Sequence, residues 1–306
     1  MIENHNVVSL EGKSFENAIM SDFGLEVKNS EKVIKGYSSQ VYKASLGNNT
    51  VFIRINKDQN VFDVEQLGYK IFENQGIPVP KIIAYQQNPK SIGLPTMIMT
   101  SAVGTTLKES NISPEEKNAV YEKVGITLKK INEVKLEGYG PLRVEKGELI
   151  GKFSTWKEYY ESQKEYDLRS LNYCVENNYV TLEEAEKIKN IYNEIRSIDF
   201  GKASLLHKDL HSVHFFLQGK DISGVIDLGA LMAGDPRYDA AMSMVFQSPE
   251  QQEYFKSGYG DIADDQLVNK YMITIFIRKI YFRTRQEIKG NVDILLLPLK
   301  VSLEKI

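Results

Sequence analysis

His207-Lys208-Asp209-Leu210-His211-Ser212-Val213-His214, followed a little later by Ile226-Asp227-Leu228-Gly229, is the stretch on which the reading of this chain turns. Between the two lie FFL (215–217) and ISGVID (222–227), short β-branched and aromatic runs joined across Gln218-Gly219-Lys220-Asp221. That is a hairpin signal, and a hairpin returns the chain on itself. It therefore carries Asp227 back beside the loop that holds Asp209. Transfer of a phosphoryl group needs a base facing the acceptor hydroxyl, ligands for a metal ion, and cations on the phosphates. A loop with Asp209 and a second ligand five residues on serves the first two, and the Asp227 carboxylate suits a magnesium ion bridging phosphate oxygens. Taken singly, either aspartate reads as an ordinary turn residue. Together, around a hairpin, they read as a site.

Working outward, residues 33–55 have strand character around the turn Gly47-Asn48-Asn49. A helix follows near Phe62, where Val64, Leu67, Ile71 and Phe72 share one face. Gly76 stops it, Pro78 and Pro80 keep the next stretch extended, and a further strand, TMIMT, ends near Ser101. Beyond it the composition turns helical. Ser113-Pro114-Glu115-Glu116 and Thr181-Leu182-Glu183-Glu184 are capping boxes. Asp235-Pro236 opens another helix, and 264–288 reads as a buried one. The expected architecture is α+β: a small β-rich lobe, residues 1–101, then a larger helical lobe, residues 102–306, with a hinge at 100–104.

Composition narrows the function classes. A net charge of −3 over 306 residues provides no bulk basic surface for nucleic acid or an anionic membrane. The single cysteine, Cys174, excludes an intrachain disulfide and reads as a small buried hydrophobe. No secretory signal or membrane-spanning run is visible, which predicts a cytoplasmic location. Gly12-Lys13-Ser14 resembles the tail of a phosphate-binding P-loop, but the first glycine of that motif falls at Val7.

The motif HKDLHSVH followed by VIDLGALMAGDPRYD resembles the catalytic signature of the aminoglycoside phosphotransferases, which share the two-lobed protein-kinase-like fold. IRIN (53–56), GIPVPKII (76–83), MIMTSAVGTTL (97–107), and EGYGPL with FSTW (137–156) are similar to the hygromycin B phosphotransferase type in particular. The resemblance implies that Asp209 orients or deprotonates the acceptor hydroxyl and that Asp227 is the principal ligand of Mg2+. His214 stands where the family usually has asparagine, and is either a second metal ligand or a packing residue. Arg54 takes the place of the strand lysine of protein kinases, with Glu65 on the next helix as its ion-pair partner. Gly36, Ser38 and Ser39 belong to the candidate phosphate-covering turn. The backbone from Thr100 to Ala102 corresponds to the family hinge that meets the purine of ATP or GTP. The corresponding histidine, His207, braces the loop.

No Ala-Pro-Glu sequence follows Asp227, and only a short segment separates Gly229 from the helix at Arg237, so a peptide platform has no room. A small acceptor fits better. The resemblance points to a cationic aminoglycoside and hence a resistance enzyme. A metabolic kinase for a sugar, amino alcohol or homoserine-like acceptor stays open, as does a nucleotide-binding regulator without catalysis. For a cationic acceptor, candidate carboxylates are Glu158, Glu161 and Asp167, or Glu250, Glu253, Asp261, Asp264 and Asp265, with Asp235 at the cleft floor.

Overall fold

Alternation of apolar and polar residues builds the first sheet. In the computed structural model, which describes residues 10–33, 39–285 and 292–306, the chain opens with helix α1 (Gly12–Phe23). Strands β1 (Val27–Val33), β2 (Gln40–Leu46) and β3 (Asn49–Ile55) follow, then α2 (Gln59–Asn74), β4 (Ile82–Gln86) and β5 (Thr96–Thr100). The five strands are antiparallel in the order β1-β2-β3-β5-β4. Val51, Ile53 and Ile55 of β3 point to one face and join Phe15, Ala18 and Ile19 of α1 in a separate small core. Arg54 points to the other face, toward α2. Helix α1 was not expected. Gly12-Lys13-Ser14 forms its first turn, and Phe15 stacks on Tyr42 with ring centroids 4.0 Å apart. Only three apolar side chains mark its buried face, too sparse a stripe to stand out.

The larger lobe begins with β6 (Thr105–Thr106), α3 (Pro114–Glu133), β7 (Lys135–Leu136), β8 (Tyr139–Glu145), β9 (Glu148–Phe153), α4 (Trp156–Glu176) and α5 (Leu182–Ser197). It continues with β10 (Ala203–Leu206), β11 (Phe215–Gln218), β12 (Asp221–Val225), β13 (Met232–Gly234), α6 (Pro236–Met244), α7 (Pro249–Tyr259), α8 (Gln266–Arg285) and α9 (Asp293–Leu303). The two capping boxes form as expected, at Ser113 with Glu116 and Thr181 with Glu184. The region is less purely helical than its composition suggests, because a second five-stranded sheet runs β7-β10-β13-β8-β9. Its β8–β9 hairpin turns at Lys146-Gly147, both with positive φ. Lysine is a poor advertisement for that conformation, so the turn was not visible in sequence. Cys174 is buried, and burial pushes its thiol up to about 12, which leaves it unreactive.

Three features position the site. A third, small sheet, β12-β11-β6, pairs Thr105 and Thr106 with Leu217 and Phe216, tying the segment after β5 to the hairpin expected at 215–227. Helix α2 lies close on the turn Leu228–Ala230, where a Cβ on Gly68 would come within 2.4 Å of Leu231. A side chain at 68 would displace the tip of Leu231, and the close approach sets Glu65 near Asp227. Helix α8 packs against α4, α5, α6 and α9. Among the described residues no helix is long and apolar enough to cross a membrane.

Candidate active site

The buried strand β10 ends at Leu206, and the loop that starts at His207 is held by its backbone. His207 Nε2 lies 3.2 Å from the carbonyl oxygen of Ile226, and its Nδ1 accepts the Asp209 N–H at 3.4 Å. The carbonyl only accepts, so the proton sits on Nε2. Burial lowers the His207 pKa to about 4, which keeps the ring neutral. One imidazole thus joins the Asp209 loop to the residue before Asp227. A buried carboxylate, Asp239 of α6, completes the brace. It accepts from His207 N at 2.8 Å, Lys208 N at 2.7 Å and Asn132 Nδ2 at 3.0 Å. Lys208 has φ 68° and Asp227 φ 66°, both left-handed. Such conformations cost about 1–3 kcal/mol each and persist only where surroundings enforce them. Sequence reading missed Asp239. It lies four positions after the capping Asp235, and nothing local distinguishes it from an ordinary helix acid.

Four side chains converge in front of this brace. His214 Nδ1 donates to the Asp209 carbonyl at 2.6 Å, and its Nε2 stands 3.5 Å from Asp227 Oδ2. His211 Nε2 lies 3.7 Å from Asp209 Oδ1. With a proton on Nδ1, His214 turns its Nε2 toward the oxygen of Asp227. A proton on Nε2 or a metal cation between the two atoms satisfies both. Ligating atoms of Asp209, His211 and His214 all fall within 4.8 Å of one another, so the donor set suits a divalent ion. Asp209 is partly exposed; burial pushes its carboxyl up, while His214 and Lys279 pull it back. Burial, then His214 and Lys279, lower His211 to about 3. His211 therefore presents a neutral ring.

On the small sheet Arg54 makes a two-pronged pair with Glu65, one contact at 2.9 Å between Nη2 and Oε1 and a second between Nη1 and Oε2. Glu65 is fully buried, and the Arg54 side chain keeps 12% exposure. Burial works against the Arg54 charge and Glu65 outweighs it. Asp227 acts electrostatically on both members of the pair, and a Cβ on Gly229 would stand 3.2 Å from Glu65 and 3.6 Å from Asp227.

Other expected positions fare differently. Gly36 and Ser38 lie outside the described residues. Ser39 accepts from Asn56 Nδ2 at 3.0 Å. At the expected hinge, the Thr100 N–H is donated to Lys81 O and the Ser101 N–H to Thr50 O. The Thr100 amide is therefore spent inside the sheet and is not open to a purine. Among the described residues no acceptor takes the Ala102 N–H. Of the acids considered for a cationic acceptor, Glu158, Glu161, Glu250 and Asp261 are exposed, and others are engaged by cations. Asp167 is fully buried and bound to Arg278 Nε at 2.6 Å. Asp235 caps α6 and binds Arg237, as does Asp265. Glu253 pairs with Lys256. The side chain of Asp264 lies outside the described residues.

No curated protein matches the chain by sequence. Solved structures do match in fold. One is a thermostable mutant of aminoglycoside phosphotransferase APH(4)-Ia in ternary complex with ADP and hygromycin B: TM-score 0.74, 18% identity, 95% of this chain and 98% of that chain covered. Spectinomycin phosphotransferase APH(9)-Ia, in complex with ADP and spectinomycin, aligns at TM-score 0.67 with 14% identity, covering 97% and 98%. A protein proposed as a fructosamine-3-kinase from Thermobifida fusca aligns at TM-score 0.62 with 17% identity, covering 96% and 100%. At such identities these establish the shared fold. The sequence model of the phosphotransferase enzyme family matches residues 31–267. The chain is a member of the phosphotransferase enzyme family.

Proposed function

We propose that this enzyme moves the γ-phosphoryl group of ATP or GTP to a hydroxyl of a small molecule. The observation that carries the reading is the convergence of Asp209, His214 and Asp227, with the Arg54–Glu65 pair beside Asp227. Nucleotide complexes of the structural relatives support ATP as donor. The nucleotide would lie between residues 1–101 and 102–306, its base at the Ala102 amide and its phosphates near Arg54, Ser39 and the turn with Gly36 and Ser38. Asp227 and His214 Nε2 would hold Mg2+, which supplies charge neutralisation on the phosphate oxygens. Asp209 aligns the acceptor hydroxyl for in-line attack. The acceptor oxygen bonds to the γ-phosphorus, the bridging P–O bond breaks, the nucleoside diphosphate leaves with its electron pair, and the hydroxyl proton passes to Asp209. Positioning and charge stabilisation supply most of the rate.

The sequence resemblance favours a hygromycin-type aminoglycoside acceptor and a resistance role. Asp167 and Asp235 are fully buried against arginines and are closed to a polycation, whereas Glu158, Glu250, Glu253 and Asp261 are exposed. The test is incubation with Mg2+ and ATP or GTP against aminoglycosides, sugars, amino alcohols and hydroxy acids, with mass spectrometry of the products. A product heavier by one phosphoryl group, formed by wild type and lost in Asp209→Asn, supports the reading. Equal turnover by that variant overturns it.

A further inference from the structure

Two imidazoles stand beside the catalytic carboxylate, and Mg2+ on Asp227 and His214 would occupy only one of them. The chain has four histidines. His5 lies outside the described residues. His207 spends both ring nitrogens, on Ile226 O and Asp209 N. His211 and His214 close one turn, with His214 N donating to His211 O at 2.8 Å, and their ring centroids are 4.1 Å apart. Among the described residues no hydrogen bond uses a ring nitrogen of His211. Its Nε2 faces Asp209 Oδ1 at 3.7 Å instead.

The arrangement is close to that of a metal chelate. In a tetrahedral zinc site, bonds of about 2.0–2.2 Å set neighbouring ligand atoms about 3.3–3.6 Å apart. The gap from His211 to Asp209 is 3.7 Å, and one ligating atom from each of Asp209, His211 and His214 lies within 4.8 Å of the others. Small rotations of Asp209 and His211, both half-buried, close the remainder. A metal-binding histidine usually donates its other ring N–H to a carbonyl or carboxylate, which fixes the tautomer and aims the free nitrogen. His214 does so, from Nδ1 to the Asp209 carbonyl at 2.6 Å. All three residues fall within six positions of one loop, and His207 and Asp239 already hold that loop in place. Little ordering is therefore left to offset the binding. Nitrogen donors favour zinc and its neighbours in the transition series, whereas magnesium prefers oxygen.

We propose that Asp209, His211 and His214 form a site for a divalent cation of the zinc class, and that an ion held there silences the enzyme. The silencing rests on the phosphotransferase reading above and adds a means of regulating the same site. A carboxylate engaged by the ion cannot take the proton of the acceptor hydroxyl, and His214 Nε2 serves one cation at a time.

The experiment uses the full chain, stripped of metal with a chelator and free of nucleotide. Calorimetric titration with zinc chloride should show one ion per chain, bound with a Kd of about 10 µM or tighter. Cobalt(II) should compete with it and show the visible absorption of a low-coordinate ion with nitrogen ligands. His211→Asn and Asp209→Asn should each weaken zinc about tenfold or more, while His5→Gln stays within about twofold of wild type. Affinity for AMP-PNP with Mg2+ should stay within about twofold in His211→Asn, whereas a variant damaged in its fold would lose both ligands. Turnover is then followed with whichever compound accepts phosphate from ATP with Mg2+ in excess. Zinc at about ten times its Kd should lower turnover about tenfold, a chelator should restore it, and His211→Asn should need about tenfold more zinc. Zinc binding weaker than about 100 µM, or undiminished in both variants, overturns the proposal. Tight binding with unchanged turnover overturns it as well. If no compound accepts phosphate, the phosphotransferase reading fails instead, and calorimetry alone decides the metal site.

Discussion

Glu65 and Asp167 are both fully buried, and both are held by arginine. Glu65 takes both prongs of Arg54, which keeps 12% exposure and feels the charge of Asp227. Asp167 sits between α4 and α8, bound to Arg278 with Arg196 at 3.9 Å. Asp167 Oδ2, Arg196 Nη2 and Arg278 Nη2 find no hydrogen-bond partner among the described residues, nor do the hydroxyls of Tyr160 and Tyr192. Burial and pairing are thus common to a cluster that ends at the cleft and to one sealed inside the larger lobe. What separates them is where the unspent charge points. Arg54 has somewhere to aim; Arg196 and Arg278 do not.

The largest effect should come from the open side. Asp209→Asn removes charge and basicity at nearly constant size, and kcat should fall by about 10²–10⁴ with the melting temperature little changed. Steady-state kinetics beside a thermal melt checks this, and wild-type turnover would remove Asp209 from the mechanism. The sealed cluster should behave the other way. Arg278→Met strands Asp167 and should cost about 3–5 kcal/mol of stability in denaturant unfolding, while KM values of the folded enzyme hold. Recovery of much of that loss in Asp167→Leu/Arg278→Met would mark the cluster as purely structural. A lasting kcat defect in the double variant would erase the contrast drawn above.

Smaller changes sharpen it. Glu65→Gln leaves Arg54 without its counter-charge, and should cost about 1–3 kcal/mol while raising nucleotide KM about tenfold. Raised acceptor KM with unchanged nucleotide KM would move the pair out of the phosphate site. The smallest effect belongs to His214→Asn, where one neutral metal-binding side chain replaces another. Activity with Mg2+ should stay within about threefold of wild type, and His214→Ala should lose more. Metal–nucleotide titration of both variants decides it; indifference to alanine would make His214 a packing residue.

Much of this was legible in sequence because the signals are local. The β11–β12 hairpin announces itself by composition and turn residues, and the Arg54–Glu65 pair by a strand position and a helix position off its apolar stripe. The α+β division follows from the same local periods. Asp239 and Asp167 were not legible, for a shared reason. Each gets its role from a partner far away in the chain, His207 for one and Arg278 for the other, and an isolated helix acid carries no mark of it. The Thr100 amide shows the converse: the strand was placed correctly, but which of its hydrogen bonds were already spent depended on Lys81 across the sheet.

Helix α8 presents consecutive residues, Arg278 and Lys279, to different neighbours: one to the sealed Asp167, the next to Phe246 and the catalytic loop. Successive helical positions are turned about 100° from each other, so the two duties do not compete for space. Substitution at 279 therefore leaves the Arg278–Asp167 pair untouched, and substitution at 278 leaves Lys279 on the Phe246 ring.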